Sequence, residues 1–219
     1  MEMLLAFIPA KTGTILDVAC GMGATTRYLL NYYRGDDVTG INISEKQLNT
    51  CRTNAPACRF LLMNATDLRF DDCSFDNVIC VESAHHFVTR AKFLEEAFRV
   101  LKPGGRLVLS DLLPVAEKGM PRSVAPVQKV TAPDDYRGAY FGAGFARVEI
   151  IDASEEVYAR HKAYALGLLR RAWRLGKLDR QSFQTKAAKT KRRHRAYYLL
   201  VCAEKPVAES GIPSQNRCG

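Results

Sequence analysis

Seven short apolar runs punctuate this chain, and the segments between them switch to a helical period. Residues 14–19 read as a buried strand running into glycines, 24–33 as a helix and 38–41 as a second strand. Ser44, with Gln47 three residues later, forms a capping box that opens a helix ending near Pro56. Residues 59–63 are the third strand, 64–74 a polar loop and 75–81 the fourth strand. A helix over 89–101, the turn Pro103-Gly104-Gly105 and a strand over 106–111 continue the series. Strands alternating with helices at this spacing predict a doubly wound α/β sheet, mostly parallel, with helices on both faces.

Beyond residue 111 the pattern loosens. Residues 112–132 contain three prolines and no period, and are expected to form a surface connection or lid. A short helix is expected over 133–144 and a strand over 145–151. One or two amphipathic helices follow over 154–195, then a last strand over 197–203. The strands at 145 and 197 are expected to pair at the sheet edge, completing seven strands with an antiparallel edge strand. Residues 1–206 are read as a single domain and the polar stretch 207–219 as a disordered tail.

Charge separates one part of the chain from the rest. The net charge is +9, yet residues 160–195 hold 13 Lys and Arg against the single acid Asp179, which leaves the remainder slightly acidic. Such a segment is a solvated helical face or a surface that attracts an anionic partner: a carrier protein, a membrane or nucleic acid. Aromatic side chains such as Trp173 and Phe183 are sparse among the cations, too few for base stacking, so nucleic acid is not the expected partner. No run of 18 apolar residues predicts a membrane span, and the first residues do not read as a signal peptide. The seven scattered cysteines form no C-x-x-C pair and no metal-ligand spacing; they are read as reduced, mostly buried thiols of a cytoplasmic protein without a bound metal.

In a doubly wound sheet, ligands bind outside the carboxyl ends of the strands, so the first strand-to-helix turn is informative. Here it is Asp17-Val18-Ala19-Cys20-Gly21-Met22-Gly23-Ala24-Thr25. A dinucleotide fingerprint would need Gly or Ala where Thr26 stands and an acid where Asn42 stands. The Gly-Lys-Ser/Thr of a phosphate-binding loop is missing as well.

The segment Ile15-Leu16-Asp17-Val18-Ala19-Cys20-Gly21-Met22-Gly23 resembles the first motif of class I S-adenosylmethionine-dependent methyltransferases. Val38-Thr39-Gly40-Ile41-Asn42-Ile43-Ser44 resembles their ribose-binding motif, and Met63-Asn64-Ala65-Thr66-Asp67-Leu68 their adenine-binding loop. Ser74-Phe75-Asp76-Asn77-Val78-Ile79 resembles the fourth strand, and Ala97-Phe98-Arg99-Val100-Leu101-Lys102-Pro103-Gly104-Gly105 the turn before the fifth. Together these segments span residues 13–111.

The resemblance implies a Rossmann-like fold and S-adenosylmethionine as cofactor, with S-adenosylhomocysteine as product. It places Asp17 near the amino-acid end of the cofactor, the backbone of Ala19, Gly21 and Gly23 at the methionine moiety, Asn42 and Ile43 at the ribose, Asn64, Ala65 and Thr66 at the adenine, and Val81 at the end of the fourth strand. A sulfonium and an ammonium group suit a carboxylate at Asp17, which a phosphate ligand would not. Asn42 stands where an acid usually accepts both ribose hydroxyls, and Asn64 where an Asp is common.

After the fourth strand comes Val81-Glu82-Ser83-Ala84-His85-His86-Phe87, and Asp111 ends the fifth. In-line methyl transfer requires an aligned acceptor and, for an alcohol or phenol, a base, so a His with an orienting carboxylate suits the task. The strand-end sequence resembles enzymes that methylate small natural products, among them sugar O-methyltransferases and tocopherol and sterol C-methyltransferases. That resemblance makes His86, His85 and Asp111 the catalytic candidates, with His86 preferred, and a small molecule the acceptor. Glu82 is expected to order the loop or face the cofactor. C-methylation of a lipid or prenyl-like acceptor, RNA methylation, and a non-catalytic binding protein of the same fold are the alternatives.

Overall fold

The computed structural model describes residues 1–114, 133–190 and 196–207 of the chain. Most of the expected lid, the cations Lys191, Arg192, Arg193 and Arg195, and the tail beyond Val207 lie outside the described residues.

The strands are β1 (Ile15–Val18), β2 (Val38–Asn42), β3 (Arg59–Leu62), β4 (Phe75–Val81), β5 (Leu101–Pro114), β6 (Arg147–Asp152) and β7 (Ala196–Glu204). They form one sheet in the order β3-β2-β1-β4-β5-β7-β6. Strands β1 to β5 pair in parallel, and β7 runs antiparallel to both β5 and β6. The strands at 145 and 197 do pair at this end of the sheet, but the antiparallel strand β7 lies one place in from the edge. Its run Leu199-Leu200-Val201 is buried and requires a neighbour on each side, whereas β6 alternates between exposed and buried and tolerates the edge.

The helices are α1 (Glu2–Leu5), α2 (Ala24–Leu29), α3 (Glu45–Asn54), α4 (Arg90–Val100), α5 (Pro133–Gly142), α6 (Ser154–Arg174) and α7 (Arg180–Thr190). Strand periodicity assigns them to faces. Leu16 and Val18 of β1, Val78 and Cys80 of β4, and Leu107 and Leu109 of β5 share a core with Phe93, Leu94 and Ala97 of α4 and Tyr136 and Tyr140 of α5. The alternate residues Ile15, Ile79 and Val108 pack with Leu5 of α1 and Leu29 of α2 on the opposite face. Five parallel strands therefore end on one side of the molecule, with helices above and below.

The Pro103-Gly104-Gly105 turn is absorbed into β5 as an irregularity in its pairing with β4. Gly104 has φ +76°, and its N–H donates to the Lys205 carbonyl, which pins the end of β7. Lys205 itself is buried, and its ammonium donates to the carbonyls of Phe98 (2.9 Å) and Leu101 (2.6 Å) at the carboxyl end of α4, where the helix dipole is negative. Cys20, Cys51, Cys58, Cys80 and Cys202 are free thiols, while Cys73 is disulfide-bonded, contrary to the expectation of reduced thiols.

Candidate functional site

Each parallel strand delivers one segment to a cleft at the carboxyl edge of the sheet. Its walls are Ala19 and Gly21 after β1, Asn42, Ile43 and Gln47 after β2, Met63 to Thr66 after β3, and Glu82, Ser83, His86, Phe87 and Val88 after β4. The cleft encloses about 510 Å³, within the range of small-molecule sites.

The β1 turn is left-handed at Ala19 (φ +57°), Gly21 (+57°) and Gly23 (+83°). A Cβ at Gly21 would meet nothing within 4 Å, so a side chain there would project into open space along this wall. A Cβ at Gly23 would instead press on the Cys51 backbone at 3.1 Å; this glycine serves the packing of the turn against α3. The Gly21 carbonyl accepts from Asn42 Nδ2 (3.2 Å) and Cys51 Sγ (3.2 Å), which fixes the turn over the end of β2.

Asn42 is a hub. Its Oδ1 accepts from the Ser44 N–H (3.1 Å), and its Nδ2 also donates to Gln47 Oε1 (2.9 Å). Ser44 Oγ accepts from the Gln47 N–H, as the capping box predicts, but the reciprocal bond is supplied by Asn42 and the Gln47 side chain lies in the cleft wall. Asn64 similarly folds its own loop, its Oδ1 accepting from the Thr66 N–H and hydroxyl at 3.0 Å each. Arg99 of α4 braces that loop from behind, donating to the carbonyls of Leu68 (2.6 Å) and Phe70 (2.7 Å) and pairing with Glu96 and Asp72.

Asp17, Gly23 and Val81 are not in the wall. Asp17 is buried, and its Oδ2 accepts from Thr26 Oγ1 at 2.6 Å, tying β1 to α2 beneath the turn. Burial, only partly offset by that hydrogen bond, pushes its carboxyl up to about 7. Val81 packs with the core behind β4.

After β4, Glu82 has φ +51° and is held by its N–H donating to the Ser110 carbonyl (3.0 Å) and hydroxyl (3.1 Å). Its carboxylate accepts from Tyr198 Oη at 2.6 Å. The turn Ala84–His86 then separates the two histidines. His86 reaches the cleft wall, and His85 points its Nδ1 at Asp111 Oδ1, 3.1 Å away. Their rings lie 4.0 Å apart.

Asp111 is fully buried and saturated. The Leu112 N–H donates to Oδ1 (2.9 Å), while Arg90 (2.8 Å) and Tyr136 Oη (2.7 Å) address Oδ2, and Tyr140 Oη donates to Tyr136 Oη (2.9 Å). Burial pushes the carboxyl up, but the His85 hydrogen bond, the Arg90 charge and the Tyr136 hydroxyl outweigh it and hold Asp111 below the usual carboxylate range. Burial also keeps both phenols protonated.

Met63, Ser83 and Phe87 lie within the motif segments without a role of their own in the sequence, whereas Val88 and the Arg90, Tyr136 and Tyr140 partners of Asp111 lie outside them and lack any local pattern. Gln47 carried a capping signal that hid a second use.

No lining residue of the cleft is Lys or Arg, whereas the acid Glu82 is in the wall. That charge balance fits a sulfonium and ammonium ligand and not a pyrophosphate. The amides and hydroxyl of Asn42, Gln47, Asn64 and Thr66, set among Ile43, Met63 and Phe87, fit a nucleoside. The cleft thus fits S-adenosylmethionine. Among the described residues, no group of three or more His, Cys, Asp or Glu is placed to hold a metal ion.

Comparisons with known proteins agree with this geometry. Residues 16–109 match the family described as "Methyltransferase domain". The chain is 33% identical over 169 residues to O-methyltransferase cnsE of Penicillium expansum, covering 71% of this chain and 60% of that protein. It is 43% identical over 101 residues to 2-methyl-6-phytyl-1,4-hydroquinone methyltransferase of Synechocystis, covering 45% of this chain and 31% of that protein. The chain thus matches less than two thirds of either relative. Phosphoethanolamine N-methyltransferase 2 of Haemonchus contortus, solved with S-adenosyl-L-methionine, superimposes with a TM-score of 0.70 at 19% identity, covering 94% of this chain and 51% of that one; at this identity the likeness is one of fold.

Proposed function

Because the chain belongs to the class I S-adenosylmethionine-dependent methyltransferases, we propose that it transfers a methyl group from that cofactor to a hydroxyl of a small-molecule acceptor, with a histidine as general base. The observation that carries this reading is the His85–Asp111 pair at the carboxyl ends of β4 and β5, beside the cleft. When bound, the cofactor supplies a methyl group on a positively charged sulfur, open to in-line attack.

This chain's residues would hold and activate the acceptor. With Nδ1–H donated to Asp111, His85 is fixed in the tautomer whose Nε2 carries a lone pair, and that nitrogen is the atom to take the hydroxyl proton. The imidazolium so formed sits beside a carboxylate that Arg90 and Tyr136 keep ionised. This favours His85 over His86, whose place in the cleft wall suits contact with cofactor or acceptor instead.

Among the relatives, one is named as an O-methyltransferase and the other as acting on a phytyl hydroquinone. Exposed apolar side chains at the cleft, Ile43 and Val88, support an acceptor with a lipophilic part, and leave C-methylation of a prenyl-bearing ring as the second reading. Incubation with methyl-labelled cofactor and a panel of phenolic, sugar and prenyl-quinol acceptors tests both. Label recovered as a methyl ether supports the proposal, and label recovered on ring carbon supports the second reading. Tight cofactor binding with no transfer to any acceptor would return the chain to the non-catalytic alternative.

A further inference from the structure

The α6–α7 hairpin is not needed to build the sheet or the cleft. Neither helix has a buried residue. Its roots, however, are at the active end of the molecule: α6 begins just past Asp152, the last residue of β6, and β6 runs parallel to β1–β5, so the hairpin leaves the sheet at the edge that carries the cleft. The root is tied there. The Ala153 N–H donates to the Tyr198 carbonyl (2.9 Å), the Tyr198 N–H donates to Ser154 Oγ (2.8 Å), and the Tyr158 and Tyr198 rings meet edge to face at 6.5 Å. Tyr198 Oη then donates to Glu82 in the cleft wall.

Beyond the root, α6 is a 21-residue helix, about 30 Å long at 1.5 Å per residue. Its inner side is closed by α7, with Trp173 and Phe183 stacked at 5.2 Å. Its outer side carries Tyr164 (68% exposed), Leu168 (49%) and, one residue past its end, Leu175 (60%). At 100° per residue these fall within about 40° of one another, on one side of the helix. Arg171 lies at the edge of the stripe, and Arg174 and Arg170 continue round the same side of the helix; the three guanidinium groups, with Gly167 and Leu175, line a shallow hollow of about 530 Å³. Among the described residues, none of these three arginines has a carboxylate within ion-pair distance, and the nearby acid Asp179 is engaged by Ser182 at the start of α7.

Unpaired guanidinium groups along an exposed stripe of Leu and Tyr match the interface of an anionic phospholipid bilayer, where phosphates lie directly above hydrocarbon. A nucleic acid or an acidic protein surface would satisfy the charges and leave Leu168 and Leu175 in water. We propose that the α6–α7 hairpin docks this protein on an anionic membrane surface, with the cleft held beside the bilayer. Exposed Met22 and the cleft residues Ile43 and Val88 belong to the same edge of the molecule. Only the purpose of docking, access to a lipophilic acceptor, rests on the function proposed above.

The test is co-sedimentation of the full chain with vesicles of phosphatidylcholine alone and of phosphatidylcholine containing one third phosphatidylglycerol. The expected result is salt-sensitive binding to the anionic vesicles only. Arg170→Gln, Arg171→Gln and Arg174→Gln together should weaken it on the order of 100-fold, and Leu168→Glu with Leu175→Glu should abolish it. Titration with S-adenosylhomocysteine serves as the folding control for each variant, since none of these residues lines the cleft. Failure to bind anionic vesicles by a chain that binds S-adenosylhomocysteine overturns docking and leaves the function intact. So does binding that survives both leucine substitutions, or that a single-stranded RNA of 20 nucleotides displaces completely. Vesicle binding by a chain that methylates nothing has the opposite meaning: docking stands and the proposed function fails.

Discussion

His85 Nδ1 lies 3.1 Å from a carboxylate oxygen of Asp111, and the other oxygen of that carboxylate is held by Arg90 and Tyr136 in a fully buried site. One histidine of an adjacent pair is therefore oriented from beneath the sheet edge, and its neighbour is free to face the cleft. The two should be separable by kinetics. His85→Ala is expected to lower kcat by about 10²–10⁴-fold with cofactor affinity nearly unchanged. His86→Ala is expected to raise KM with a smaller effect on kcat. Steady-state kinetics on an identified acceptor checks this, and wild-type kcat in His85→Ala would remove the base from the mechanism.

Asp111 also links the site to stability. Its folded carboxyl titrates below the usual 3.8, so the stabilisation it contributes is present above that value and is lost as pH falls through the lowered folded one. Asp111→Asn keeps the shape but leaves Arg90 buried without its counter-charge, and should cost about 3–5 kcal/mol at neutral pH. Urea titrations from pH 2 to 8 should show the gap between wild type and variant closing in acid. A gap that does not change with pH would contradict the ionised Asp111.

Asp17 has the opposite sign. With its folded carboxyl raised to about 7 from 3.8, the wild type binds an extra proton between those values and loses stability as pH rises through that window. Asp17→Asn retains a side-chain acceptor for Thr26 and should be the more stable protein above pH 7, by up to about 4 kcal/mol. Thermal melts at pH 5 and pH 8 read the difference; equal melting shifts at both would mean that the carboxyl is already ionised at the lower pH.

The strands and helices up to residue 111 were legible in the sequence because each is a local pattern: buried runs for strands, Ser44 as a cap, glycines where the chain turns left-handed. The position of β7 was not, since nothing local to residues 196–204 distinguishes a strand inserted between two others from one at the edge. The same division holds in the cleft. Ala19, Gly21, Asn42, Ile43, Asn64, Ala65, Thr66 and His86 were found through their motifs and do line it. Arg99, Tyr136 and Lys205 act through contacts with residues 25 or more positions away, and no period or spacing exposes them. Asp17 was visible as a motif residue, but its burial and its bond to Thr26 required the fold.

Arg99 offers a test of the reading of the β3 loop. Half-exposed bonds to the Leu68 and Phe70 carbonyls hold the loop that carries Asn64 to Thr66. Arg99→Ala should weaken cofactor binding about tenfold, roughly the 1.4 kcal/mol of one charge-assisted hydrogen bond, while leaving kcat at saturation within twofold. A fall in kcat with unchanged affinity would mean that the loop does not contact the cofactor.

Calorimetric titration of the wild type and Gly21→Val with S-adenosylhomocysteine tests whether the cleft is the cofactor site. The added side chain would enter the open space in front of Gly21, at a backbone φ of +57° that costs it about 1–2 kcal/mol. The predicted result is micromolar binding by the wild type and loss of at least 30-fold in a variant that circular dichroism shows to be folded. No binding by the wild type, or equal affinity in the two proteins, would contradict the assignment.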